Sequence, residues 1–162
     1  MGLLLAIGGC VVLLDQVSKL LVVYTLPLHS GKEVIPGLFN LVHVRNPGAA
    51  FSLLAGADAS WRQIFFVAMS CLGVAIILYA YRKSHPGDHW SKIALALLFG
   101  GAMGNLIDRL RLGEVIDFLD VYIGSYHWPA FNVADSAITI GALLLVLALL
   151  KGSSPDRRLG RA

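Results

Sequence analysis

Apolar positions along this chain are gathered into four long blocks rather than scattered at the spacing of a soluble helix. The blocks cover residues 3–26, 60–81, 90–107 and 133–150. Each approaches the run of about 20 apolar residues that a helix needs to cross a bilayer. The first is interrupted by Asp15, Gln16, Ser18 and Lys19; the second carries Trp61 at one end and Tyr79 and Tyr81 at the other, as an interfacial aromatic belt would. Residues 27–59 differ. They contain Pro27, Pro36 and Pro47 and an alternating stretch, Leu38-Phe39-Asn40-Leu41-Val42, which predicts short strands and turns at the membrane surface. Residues 108–132 form a second segment of this kind. The pattern predicts an all-α polytopic membrane protein, a four-transmembrane-helix bundle making one domain over residues 1–162, with no internal repeat.

Composition agrees with that class. Hydrophobic residues make up 57% of the chain and charged residues 14%, against about a quarter charged in soluble domains. The mean hydropathy is +0.73. A net charge of +3 could suggest nucleic acid, but the cations flank the apolar blocks, as they do in cytoplasmic loops and tails, so no nucleic-acid partner is expected. Cys10 and Cys71 both lie inside apolar blocks, which argues against a structural disulfide. Ile7-Gly8-Gly9-Cys10 looks like a lipoprotein processing site. No basic stretch precedes it, however, and the apolar run continues through Leu14, so the N-terminus reads as a retained first helix.

Charge orients the bundle. Residues 82–92 and the C-terminal tail hold Arg82, Lys83, Lys92, Lys151, Arg157, Arg158 and Arg161, whereas the other two links hold Lys32, Arg45, Arg109 and Arg111 mixed with acids. The positive-inside rule then places both termini and the 82–92 link in the cytoplasm.

Ionisable groups within spans are costly and mark function. Asp15, Ser18 and Lys19 share one helix face, and a buried Asp–Lys pair joining helices competes with a direct chemical role. Gly100 and Gly104 form a GxxxG pattern suited to close helix approach. Gly101, Asn105 and Asp108 line one face of the third span; beside Arg109 and Arg111, the plain reading of Asp108 is an interfacial ion pair. Asn132 and Asp135 open the fourth span, where an N-cap and a first-turn acid are the plain reading. With Ser136 and Thr139 they also form a polar stripe entering the membrane. Asp117 sits among apolar neighbours in Val115-Ile116-Asp117-Phe118-Leu119. It is either an outward strand residue or a carboxyl with a raised pKa, suited to a general acid. Span three ends and span four begins on the same outer side, so Asp117 and Asp135 could pair there and share a proton.

Other chemistries lack their residues. The five histidines are scattered on both sides, with no HExxH and no GxSxG elbow, so neither a metal nor another cofactor is expected. Two rival classes stay open at this point: a small transporter or proton-relay protein, and a lipid-binding protein without chemistry.

Five segments taken together resemble the motif blocks of bacterial lipoprotein signal peptidases (signal peptidase II, an intramembrane aspartyl protease family). They are Asp15-Gln16-Val17-Ser18-Lys19, Arg45-Asn46-Pro47-Gly48-Ala49-Ala50-Phe51, residues 100–109 (Gly100 to Arg109), Val115-Ile116-Asp117-Phe118 and Phe131-Asn132-Val133-Ala134-Asp135. They follow the family's order over nearly the whole chain; Pro47 departs, standing where the family often has Thr. The resemblance implies a four-helix bundle with a small extracytoplasmic β-rich cradle. It implies cleavage of the signal peptide from diacylglyceryl-modified prolipoproteins just before the lipidated cysteine. It also implies Asp117 and Asp135 as the catalytic pair, with Asp108 the runner-up. Asp15, Lys19, Asn46, Gly48, Asn105, Asp108, Arg109, Asn132 and Ala134 match positions that support the site or touch substrate. The expected setting is the bacterial inner membrane, multi-pass, with the site near the extracytoplasmic face. Lipidated prolipoproteins and membrane lipids are the expected partners of a monomer.

Overall fold

The computed structural model describes residues 1–48 and 59–152. Four helices carry the apolar blocks: α1 (Gly2–Thr25), α2 (Ala59–Lys83), α3 (His89–Leu112) and α4 (Val133–Gly152). All four are long and apolar enough to cross a membrane. Their outward side chains, among them Leu5, Leu13, Ile64, Ile76, Leu143 and Leu150, are exposed; that arrangement is stable only where lipid replaces water. The core is accordingly small, with Leu4, Tyr81, Leu95 and Ala96 enclosed between α1, α2 and α3.

Helix α3 packs against all three other helices and is the most enclosed of them. The GxxxG pair explains how α1 lies so close. A Cβ on Gly100 would stand 2.8 Å from the Gly8 carbonyl oxygen, and one on Gly104 would stand 2.6 Å from Asp15 Oδ2. Any larger residue would push α1 off α3 and displace Asp15 with it.

Four antiparallel strands, β1 (Gly31–Ile35), β2 (Phe39–Asn46), β3 (Val115–Ile123) and β4 (Tyr126–His127), form one open sheet in sequence order. Both strand-bearing links therefore fold together at one end of the bundle. The β2–β3 register sets Val44 opposite Asp117 and Asn46 opposite Val115, with an irregularity between Leu41 and Val44. That register places the Asn46 amide beside the Asp117 carboxyl.

The helices outrun the apolar blocks in two places. Helix α3 continues past residue 107 to Leu112, so Asp108, Arg109 and Arg111 stand on its last turns rather than in a link. It stops at Gly113, whose φ of +77° is left-handed and whose N–H caps the Arg109 carbonyl. At the other end of the bundle α2 runs through Lys83, and α3 starts at His89 with the Asp88 carboxylate accepting the Ser91 N–H at 3.1 Å. The link between them is thus much shorter than 82–92.

Candidate active site

Lys19 is the hub of the polar interior. Its ammonium lies 2.8 Å from Asp15 Oδ2 and 2.8 Å from Asp108 Oδ2, and it donates to Asn105 Oδ1 at 3.2 Å. Asp15 is 0% exposed, and Lys19 and Asp108 are 2% exposed each. One cation between two carboxylates in such a place survives only if every oxygen is satisfied. Asp15 Oδ1 takes the Ala134 N–H at 2.9 Å, which ties α1 to the first turn of α4. Asp108 takes the Ile116 N–H at 3.2 Å and the Gln16 amide at 3.0 Å, which ties α3 to the start of β3. Asp108 thus pairs with Lys19 across the bundle, not with Arg109 or Arg111 as an interfacial ion pair. Arg109 turns toward α2: it donates to Ser70 Oγ at 3.2 Å and lies over the Phe66 ring at 5.7 Å.

Asn132 is fully buried and joins the two remaining aspartates. Its amide donates to Asp117 Oδ1 at 2.7 Å. Its backbone N–H donates to Asp135 Oδ2 at 3.2 Å, while its Oδ1 accepts the Asp135 N–H at 2.9 Å. That reciprocal pattern is a helix cap, so the plain reading of Asn132 and Asp135 is correct as far as it goes. The cap also fixes where both carboxyls stand. Asn105 donates to Asp135 Oδ1 at 2.8 Å, and Asn46 to Asp117 Oδ2 at 3.1 Å. Asn46 is itself held by the Gly48 N–H, donated to its Oδ1 at 2.9 Å. Gly48 has φ +90°, and a Cβ there would enter the Phe66 ring, so the turn requires glycine.

Neither Asp117 nor Asp135 lies within ion-pair distance of a cation among the described residues. Asp117 is 2% exposed, which removes the outward-strand reading. Burial pushes its carboxyl up from 3.8 to about 6; the negative charge of Asp135 adds to the rise, and the amides of Asn46 and Asn132 oppose it. Asp135 is half-buried and borders a groove of about 430 Å³ lined also by Trp128, Phe131, Ser136, Thr139 and Ile140. One carboxyl is therefore enclosed with a raised pKa, and its neighbour borders an open groove.

Nine of the residues singled out in the sequence fall into this one network or its immediate support: Asp15, Lys19, Asn46, Asn105, Asp108, Asp117, Asn132, Ala134 and Asp135. Gly48 acts through Asn46, and Arg109, bonded to α2, still lies near enough to feel the charges of Asp135, Asp117 and Asp108 without an ion-pair contact. Ala49, Ala50 and Phe51 of the second motif block lie outside the described residues. Gln16 also joins the network, its amide donating to Asp15, Asp108 and the Gly104 carbonyl, and its place next to an intramembrane Asp is the signal for it in the sequence. Asp120 falls outside every motif block, yet it is 7% exposed. Burial alone would raise its pKa, but hydrogen bonds from His127 and Asn40 hold it below the ordinary value. Among the described residues no group of three or more His, Cys, Asp or Glu is placed to hold a metal ion.

Residues 7–151 match a family model described as "Signal peptidase (SPase) II". A protein from Syntrophus aciditrophicus named lipoprotein signal peptidase is 51% identical over 149 residues, 92% of each chain. One of the same name from Geobacter sulfurreducens is 52% identical over 138 residues, 85% of each. Two solved structures, both titled as bacterial membrane enzymes, superpose with TM-scores of 0.83 and 0.85 at 38% and 36% identity. They cover 93% and 100% of this chain and 94% of each of theirs.

Proposed function

The chain belongs to the signal peptidase (SPase) II family, and from that premise we propose that Asp117 and Asp135 act as a water-activating pair that makes it an aspartic endopeptidase. The chain removes signal peptides from lipoprotein precursors, and the bond cut is the one just before the diacylglyceryl-modified cysteine. The observation that carries the assignment is the distribution of cations. Lys19 touches Asp15 and Asp108, whereas among the described residues the donors that hold Asp117 and Asp135 are amides and a backbone N–H. A contacting ammonium favours the ionised form of a carboxyl strongly, and neutral amide donors favour it less.

Asp135, on the groove, takes a proton from water as the water's oxygen attacks the scissile carbonyl carbon. Asp117 carries its proton toward neutral pH and hydrogen-bonds the oxyanion that develops. As the tetrahedral intermediate collapses, the C–N bond breaks and a carboxyl proton passes to the leaving amine. Substrate entering the groove excludes water and raises Asp117 further, which favours the acid form. The lipid tails keep the precursor in the plane of the membrane beside the site, which raises its effective concentration.

The site lies near the extracytoplasmic face of the bacterial inner membrane, with both termini in the cytoplasm, and residues 1–162 act as one domain and one monomer, bathed by membrane lipids. A transporter or proton relay would need ionisable groups on a path to both faces; here Asp15, Lys19, Asp108, Asp117 and Asp135 belong to one network at the sheet-bearing end. The test is cleavage of a lipidated precursor peptide by Asp117→Asn and Asp135→Asn. Each should lose at least about a thousandfold in rate while still inserting and binding substrate. An active Asp117→Asn beside a stable, inactive Asp108→Asn would move the catalytic role to Asp108.

A further inference from the structure

At the end of the bundle away from the aspartate pair, the α2–α3 link and the end of α4 enclose a cavity of about 660 Å³. Its wall sets the polar groups of His85, Asp88, His89 and Lys151 beside the apolar Trp90 and Ala148. A second space of about 160 Å³ adjoins it, lined by Leu144 and Leu147 and sharing Trp90, Ala148 and Lys151 with the first. The two form one hollow, polar at its outer part and apolar where it descends along α4. Leu143, Leu147 and Leu150 of that helix are exposed on the lipid side. None of these residues belongs to the aspartate network.

Charge selects the occupant. Among the described residues, Arg82, Lys83, Lys92 and Lys151 gather at this end with Asp88 as the acid beside them. The Asp88 carboxylate is occupied by the Ser91 N–H, and Lys92 by the Pro86 carbonyl at 3.2 Å. Lys151 makes no ion pair among the described residues. A ligand that fits must bring negative charge to the polar arm and a hydrocarbon chain to the apolar arm, and it must reach the hollow from the bilayer. We propose that this hollow binds one anionic phospholipid, its phosphate between Lys151 and the His85–His89 wall and one acyl chain along Leu144 and Leu147. Trp90, shared by both arms, brings to their junction the indole that favours a headgroup–chain boundary. The proposal requires only that the chain is embedded in a membrane, not that it is a protease.

The experiment follows thermal unfolding of the full-length protein in a neutral detergent while phosphatidylglycerol, phosphatidylcholine or inorganic phosphate is added. Phosphatidylglycerol should raise Tm saturably, and the other two should not. Lys151→Gln should weaken the apparent affinity about fivefold, as expected for one cation at a membrane surface. Leu147→Trp, which fills the apolar arm, should reduce the response as well. Cleavage of the lipidated peptide by Lys151→Gln should stay at the unmodified protein's level, so loss of the lipid response and loss of catalysis read separately. Equal stabilisation by phosphatidylcholine, or a full phosphatidylglycerol response in Lys151→Gln, overturns the proposal. An equal response to inorganic phosphate also overturns it, by assigning the hollow to a free anion.

Discussion

Replacing Asp117 by Asn should flatten the pH dependence of stability, because this carboxyl is enclosed without a cation. Burial lifts it from 3.8 to about 6. Between those values the folded chain holds a proton that the unfolded chain has released, so stability falls as pH rises. The stabilising contribution is complete below 3.8 and is gone once pH has risen through about 6. At about 1.36 kcal/mol for each pKa unit, the loss from this one group comes to about 3 kcal/mol. The asparagine cannot ionise and lacks the loss altogether. It also turns an amide toward the donors of Asn46 and Asn132, which lowers stability by about 1–3 kcal/mol, but that penalty does not vary with pH. The quantity to measure is therefore a slope: unfolding free energy in detergent at a series of pH values from about 4 to 8, for both proteins. Groups remote from Asp117 contribute equally to both curves and cancel in the difference. Parallel curves would refute the reasoning, since they would mean that Asp117 is ionised and solvated across the range.

Lys19→Met leaves Asp15 and Asp108 buried without their shared cation and should cost about 3–5 kcal/mol, read as a lower Tm; adding Asp108→Asn should recover part of it. Cleavage should survive EDTA, because the proposed chemistry uses carboxyls and water; activity lost on chelation and restored by zinc would contradict it. With Cys10 and Cys71 replaced by Ala, His85→Cys should resist an impermeant thiol reagent applied to the periplasmic side of spheroplasts, in keeping with the positive-inside orientation. Labelling from that side would invert the bundle.

The four helices were legible because a bilayer demands length and apolarity, which composition displays directly. Where α3 ends was not. Asp108-Arg109 reads as the start of a link, but Lys19 pairs with Asp108 and the helix runs on to Leu112 before the Gly113 cap. The strands were legible in kind from the alternation at Leu38–Val42, yet β2 continues to Asn46 through His43 and Arg45, and only its pairing with β3 shows why. The identity of Asp108's partner was out of reach, since the pairing of α1 with α3 is tertiary and Arg109 and Arg111 lay nearer in sequence. Asp117 and Asp135 could be placed on one side by counting spans. That Asn132 joins them depends on a cap and a strand register meeting at one residue.

Four aspartates in one polar network could in principle serve the same chemistry, and what separates them is a pair of asparagines. Lys19 lies close enough to Asp117 to lower its pKa through space, though less than burial and Asp135 raise it. Direct contact with the ammonium would hold either member of the pair ionised and end proton exchange. Asn105 stands in that path: its Oδ1 accepts from Lys19 at 3.2 Å, and its amide donates to Asp135 at 2.8 Å. Asn132 does the corresponding work at Asp117, fixing an oxygen at 2.7 Å with a neutral donor. Amides position a carboxyl nearly as firmly as a cation does and bias its protonation far less. The network can therefore be rigid around Lys19 at Asp15 and Asp108 and still hold Asp117 and Asp135 by neutral donors, at the carboxyls proposed to pass a proton.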